Sequence, residues 1–184
     1  GTTPMSLRQD ALVTAAKLIL GVEKIAQDAS PQSVATVGEL INQPNAMNVV
    51  PGQVTLGVDI RDIDGARKSK MVENFRQLVY EIEQQSSCRF ELHMLSDDEP
   101  EILEHDLQQQ LIDIAETHHW RYRVMSSGAG HDAMHMARVA PTALIFIPSQ
   151  HGISHNIAES SSLEDIVRGM AMLYEVVTMS AIRV

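Results

Sequence analysis

A chain of 184 residues that is 44% hydrophobic and 21% charged has the make-up of a globular protein of one or two domains, not of a disordered, collagenous or low-complexity one. Its net charge of −10 opposes a phosphate backbone, so no nucleic-acid partner is expected. No apolar run of about 18 residues is present to span a membrane, the opening residues lack the apolar stretch of a signal peptide, and the single Cys88 cannot form an internal disulfide, which together fit a cytoplasmic protein.

In chain order, Ser6 to Asp28 reads as an amphipathic helix. Leu7, Ala11, Ala15, Leu18, Val22 and Ile25 recur along it at three- and four-residue steps. Pro4 precedes it and Ser30-Pro31 ends it. Val34 to Asn42 is rich in strand formers, and Gln43-Pro44-Asn45 turns the chain. Val54 to Asp62 is the clearest strand, with Val54, Leu56, Val58 and Ile60 alternating with Thr55, Gly57, Asp59 and Arg61. The alternation puts Arg61 on the face opposite the apolar residues, with room beside it at Gly57. Turn residues 62–65 lead into a second amphipathic helix to about Gln85, with Val72, Phe75, Leu78, Val79 and Ile82 on one face. Arg89 to Leu95 alternates again and predicts a third strand. Together these elements describe an antiparallel sheet with two helices on one face, a small α+β layer. The acidic residues 96–101 read as a linker.

The second half has a different texture. His105 to His119 predicts a helix, residues 126–132 a glycine-containing loop, and Ala133 to Val139 a short helix. Thr142 to Ile147 is an apolar run without alternation, the pattern of a strand buried on both faces. Residues 148–156 form a polar loop. Leu163 to Val177 predicts a last helix with Leu163, Ile166, Val167, Met170, Leu173 and Val177 inward. Helix alternating with buried strand is an α/β pattern.

Candidate chemistry gathers in the loops of this half, at His131 and His135 and then at His151 and His155. Such histidines serve as metal ligands or proton carriers, and equally as surface or structural residues. The run from His131 to His135 has Asp where a zinc-protease motif carries Glu, and Gly128 to Gly130 lacks the Lys and Ser/Thr of a phosphate loop. His155 follows the predicted buried strand by one loop. Glu159 stands four residues on, spaced to orient the second ring nitrogen. One His does not make a metal site, because zinc takes three or four protein ligands. Arg61 offers a planar fork to a carboxylate, with Asn48 to assist; the alternative is an exposed Arg paired with Asp59 or Asp62. Neither a Ser/His/Asp triad nor an activated Cys88 follows from the spacing.

The segments GTTPM (1–5), PNAMNVVPG (44–52), VDIRD (58–62), SGAGHDA (127–133) and GISHNIAE (152–159) occur in an order that carries a resemblance. They resemble the second half of N-carbamoyl-L-amino acid hydrolases and allantoate amidohydrolases, bimetal amidohydrolases related to the dinuclear zinc exopeptidases. The resemblance implies that residues 1–97 are most of a lid, or dimerisation, domain lacking its first strand. Residues 98–184 would be the C-terminal part of an α/β catalytic domain. It implies His155 as a metal ligand, Asn48 and Arg61 as the grip on a substrate carboxylate, and Gly130 and His131 as lining of the substrate pocket. It further implies two divalent ions (zinc, manganese, cobalt and nickel are not distinguished) and a homodimer formed through the lid. The expected reaction cleaves the ureido C–N bond of an N-carbamoyl-L-amino acid or of allantoate and releases ammonia. The general-base Glu and the other metal ligands belong to a family segment that these residues do not include. The chain therefore reads as a fragment, inactive alone, with no catalytic residue of its own. The alternative is a non-catalytic dimerisation or binding module of the same fold.

Overall fold

The computed structural model describes residues 1–182. The last two residues of the expected 98–184 segment lie outside the described residues. The chain divides into two compact units, residues 1–100 and residues 101 onward.

The first unit opens on a 3-10 turn, Met5–Leu7, and a helix α1, Ala11–Ala29. The helix starts later than the periodicity predicts because Asp10 caps it, its Oδ1 accepting from the N–H groups of Leu12 and Val13 at 3.1 Å each. Leu7 thus falls outside the helix and is exposed. Strands β1, Val34–Gln43, and β2, Gln53–Arg61, form an antiparallel ribbon in which Val34 pairs with Arg61 at one end and Gln43 with Gln53 at the other. A bulge between Val37 and Glu39 admits Gly38 as an extra residue. It reverses the phase of β1, so that Ala35 and Val37 oppose Ile60 and Val58, and then Leu40 and Asn42 oppose Leu56 and Val54. Were Gly38 instead paired in an unbroken ladder, Leu40 would turn to the face that carries Asp59 and Arg61.

Helix α2, Gly65–Gln85, starts at the cap Asp64, whose Oδ1 accepts from the Arg67 N–H at 2.9 Å. Both helices pack on one face of the ribbon. Leu18, Val79 and Ile82 form the buried centre, with Leu56, Phe75, Leu78 and Phe90 around it. The helices meet closely at Gly21, where a Cβ would stand 2.3 Å from Leu78 Cδ2. The predicted third strand, Arg89 to Leu95, is not one: among the described residues the sheet has two strands. Phe90 is anchored, its N–H donating to Glu83 Oε1 at 3.0 Å, but no described segment pairs with this stretch. Alternation reports two faces; a ladder also needs a neighbour. The acidic stretch does run across the boundary between the two units, and its first residues are held to the first of them. Lys68, buried on α2, donates to the Asp98 carbonyl at 2.5 Å and pairs with Asp97 Oδ1 at 2.8 Å.

The second unit holds α3, His105–Thr117, α4, Asp132–Ala137, a 3-10 turn, Gln150–Gly152, and α5, Leu163–Ile182. Helices α3 and α5 pack together, and His118 Nε2 meets Glu175 Oε1 at 2.7 Å across them. The run from Thr142 to Ile147 is neither a strand nor doubly buried; Phe146 is 50% and Ile147 39% exposed. It lies against α5 at Gly169, where a Cβ would stand 2.7 Å from Ile147 Cγ2. Helix α5 does not bury the face that its sequence pattern points inward. Leu163, Ile166, Val167, Met170, Leu173 and Val177 are exposed, and the helix packs instead through Gly169, Met172 and the buried Val176. An α-helix apolar on both faces has the make-up of one inside a larger core. No helix among the described residues is long and apolar enough to cross a membrane.

Candidate functional site

Arg61 ends β2 on the face turned away from the helices. Residues two apart on a strand share a face, which brings Asp59 beside it. The guanidinium forks onto that carboxylate: Nε lies 3.0 Å from Oδ1 and 2.9 Å from Oδ2, and Nη2 lies 2.5 Å from Oδ2. The hydrogen bond to Asp59, and then its charge, make Arg61 hold its proton still more tightly than a free arginine. Of the two acids offered by the sequence, Asp59 is therefore this partner. Asp62 turns the other way, to Arg67, with Nε at 2.7 Å and Nη2 at 2.5 Å. The room expected at Gly57 is taken. Glu39 lies across it, and a Cβ there would meet the Glu39 Cβ at 3.0 Å and its Oε2 at 3.2 Å.

Asn48 is exposed in the loop that joins the other ends of the strands. That loop is tied to the chain start: a Cβ on Gly1 would stand 2.2 Å from the Asn48 carbonyl oxygen, and the Ala11 N–H donates to the Pro51 carbonyl at 3.1 Å. Arg8 Nη2 donates to the Gly1 carbonyl at 2.8 Å, completing the clasp. From Gln53 to Arg61 the ribbon runs eight residue steps, about 27 Å. The structure therefore sets Asn48 and Arg61 at opposite ends of one hairpin and does not bring them together.

In the second unit, Ser127 folds the glycine loop. Its Oγ donates to the Ala129 carbonyl at 2.8 Å and lies 3.0 Å from His131 Nε2. His131 precedes α4, half-buried, with its ring 5.4 Å from that of Phe146. Gly130 is exposed, with Met134 Sδ in van der Waals reach of a Cβ built there. His155 is exposed in a loop and takes a left-handed backbone, φ 55°. Glu159 does reach it, but at a different atom from the one the spacing points to: Oε2 accepts from the backbone N–H of His155 at 2.7 Å. The four-residue spacing flagged the pair; nothing in the sequence distinguished ring from backbone.

No hydrogen bond or ion pair of the His155 imidazole is found among the described residues. It fits a metal as one donor. It does not complete a site, because among the described residues no group of three or more His, Cys, Asp or Glu side chains could hold an ion. His131, His135 and His151 do not gather around it into such a group.

Residues 12–179 match the peptidase family M20/M25/M40. The chain belongs to that family. This M20 chain is similar to the allantoate amidohydrolase of Escherichia coli, 36% identical over 174 residues, covering 94% of this chain and 42% of the relative. It is also similar to an N-carbamoyl-L-amino-acid amidohydrolase of a Pseudomonas species, 32% identical over 176 residues, with 95% and 42% covered. The crystal structure of a hydantoinase/carbamoylase family amidase from Burkholderia multivorans superposes with a TM-score of 0.92 at 36% identity, over 96% of this chain and 43% of that one. The motif resemblance and the α/β and α+β reading agree with these likenesses. The chain spans about two fifths of the length of the relatives it matches.

Proposed function

We propose that this chain is part of a metal-dependent amidohydrolase that cleaves the ureido C–N bond of an N-carbamoyl-L-amino acid or of allantoate and releases ammonia. The observation that carries this is the likeness, along nearly the whole chain, to amidohydrolases named for those two substrates. Residues 1–97 act as lid and dimerisation domain and residues 98–184 as part of the catalytic domain. The rest of that domain covers the exposed apolar face of α5, in keeping with the chain's share of its relatives' length. A single cysteine, without an internal disulfide, supports a cytoplasmic setting.

Divalent ions, when bound, polarise the ureido carbonyl and acidify a water. His155 supplies one imidazole to them. Arg61 receives the substrate carboxylate, whose planar oxygens suit the fork that Asp59 occupies here, and so fixes the scissile carbon. Gly130, without a side chain, and His131 line the pocket. Asn48 adds amide hydrogen bonds to the carboxylate. Because one hairpin holds Asn48 and Arg61 at opposite ends, the pair around one carboxylate comes from two subunits, and the homodimer is the working unit.

The test is ammonia release by the full-length, metal-loaded protein on allantoate and a panel of N-carbamoyl-L-amino acids. Release is expected on at least one, lost with a chelator and restored by a divalent ion; none across the panel overturns the reading. The incomplete metal site favours a second, narrower reading, that the 184-residue chain alone is a non-catalytic module. It should release no ammonia and bind zinc weakly. Tight stoichiometric uptake in calorimetry would overturn the ligand assignment and return His131, His135 and His151 as ligands.

A further inference from the structure

We propose that Glu159 is a positioning residue for His155 that acts through the backbone and not through the ring; this rests on the reading of His155 as a metal ligand. A left-handed conformation is uncommon for a residue with a Cβ and persists when the surroundings hold it. Here the holding group is identifiable. Glu159 Oε2 accepts from the His155 N–H at 2.7 Å, which resists rotation about the very bond that carries φ 55°.

The carboxylate is brought there by a short turn. The Glu159 N–H donates to the Asn156 carbonyl at 2.9 Å, and the Ala158 N–H donates to Asn156 Oδ1 at 2.9 Å. The neck of the loop is tied separately. The Gln150 N–H donates to the Ser160 carbonyl at 2.8 Å, and Ser149 Oγ donates to the Ile153 carbonyl. These bonds fix the backbone on both sides of His155 while leaving the imidazole itself unengaged within the described residues. Glu159 is exposed, so core packing does not account for it. A donor presented to a metal loses affinity when its orientation is left loose, typically by 10- to 100-fold.

The experiment measures metal affinity of the full-length protein by competition with a chromophoric chelator, and the melting of the metal-free form. Glu159→Ala removes the acceptor and should weaken one bound ion about 10- to 100-fold, with the metal-free melting point near that of wild type. Glu159→Gln keeps an acceptor oxygen at the same reach and should stay within about threefold of wild type. Glu159→Asp keeps the charge but is one methylene shorter and should behave like Ala, which also serves if Glu159→Ala does not fold. Wild-type affinity in both Ala and Asp variants would overturn the proposal. So would a Gln variant as weak as Ala, because charge and not the hydrogen bond would then be the cause. His155→Ala separates the two readings. If it keeps all its metal, the ligand assignment itself fails. If it loses an ion while Glu159→Ala and Glu159→Asp keep theirs, only the positioning role fails.

Discussion

At the scale of single residues, the two acids that flank Arg61 do different work. Asp59 shares its exposed face, while the side chain of Asp62 is 0% exposed and ties three segments together. It accepts from Ser33 Oγ at 2.5 Å, from the Asp64 N–H at 2.9 Å and from the Arg67 guanidinium. That set joins the turn between α1 and β1, the end of β2 and the start of α2. The Arg67 hydrogen bonds, foremost, hold the Asp62 carboxyl well below the usual carboxylate range. Its folded form therefore keeps the proton off more readily than its unfolded form, whose ordinary value is 3.8. The resulting stability is complete above that value and drains away as the pH falls below it. Asp62→Asn should cost about 1–3 kcal/mol at pH 7, because the buried side chain at this position would leave the part-exposed Arg67 guanidinium without its charge partner. Urea melts should show that gap shrinking by about 1 kcal/mol by pH 3. A gap of equal size at both pH values would refute the assignment. The sequence offered Asp59 and Asp62 as equals, since neither burial nor the Arg67 contact is written in the local pattern.

At the scale of elements, the pattern was legible wherever a residue's neighbours lie within this chain. The helices and the β1–β2 hairpin come from periodicities whose buried faces find each other in the first unit. Where a partner is not among the described residues, the same patterns misled. Arg89 to Leu95 alternates without a ladder, and the run from Thr142 to Ile147 is apolar without being enclosed. The sequence pattern points the apolar stripe of α5 inward, yet the helix packs through Gly169 and Val176 and leaves that stripe exposed. The bulge at Gly38 was invisible for another reason. An inserted residue shows only when the facing strand sets the register. The contact between α1 and α2 gives a test of packing at this scale. At Gly21 a Cβ would lie 2.3 Å from Leu78 Cδ2 and 3.1 Å from Cδ1, so a branched side chain there must displace Leu78 or the helix. Gly21→Val should destabilise by about 1–3 kcal/mol as overpacking. Adding Leu78→Ala opens the space and should make the double variant more stable than the sum of the single losses, as read by chemical denaturation. Strict additivity would mean that the two side chains do not meet.

At the scale of the whole molecule, the hairpin decides how a substrate site can be built. The strand register carries Arg61 to one end of β2, and the loop with Asn48 leaves from the other. Helix α1 gives an independent measure of the same span. Its start is bound to the Asn48 loop through Pro51, and just beyond its end Ser33 bonds to Asp62 next to Arg61. Its 19 residues cover about 28 Å. Neither an asparagine nor an arginine side chain bridges such a distance, and a ureido carboxylate is far smaller. If both residues grip one carboxylate, they belong to different subunits. Mixing two inactive full-length homodimers tests this. One carries Asn48→Ala, the other Arg61→Ala, and the subunits are allowed to exchange. In a mixed dimer, one site then receives a wild-type Arg61 from the first chain and a wild-type Asn48 from the second, while the other site lacks both. Random assembly makes about half the dimers mixed, each with one intact site of two, so about a quarter of wild-type activity should return. This holds whichever residue crosses the interface. Pairing His155→Ala with each variant in turn then shows which one does: recovery is expected with the variant whose residue reaches into the partner's metal site, and none with the other. No recovery in the Asn48→Ala and Arg61→Ala mixture, with subunit exchange confirmed by mass, would show that the two residues do not share a substrate across the dimer.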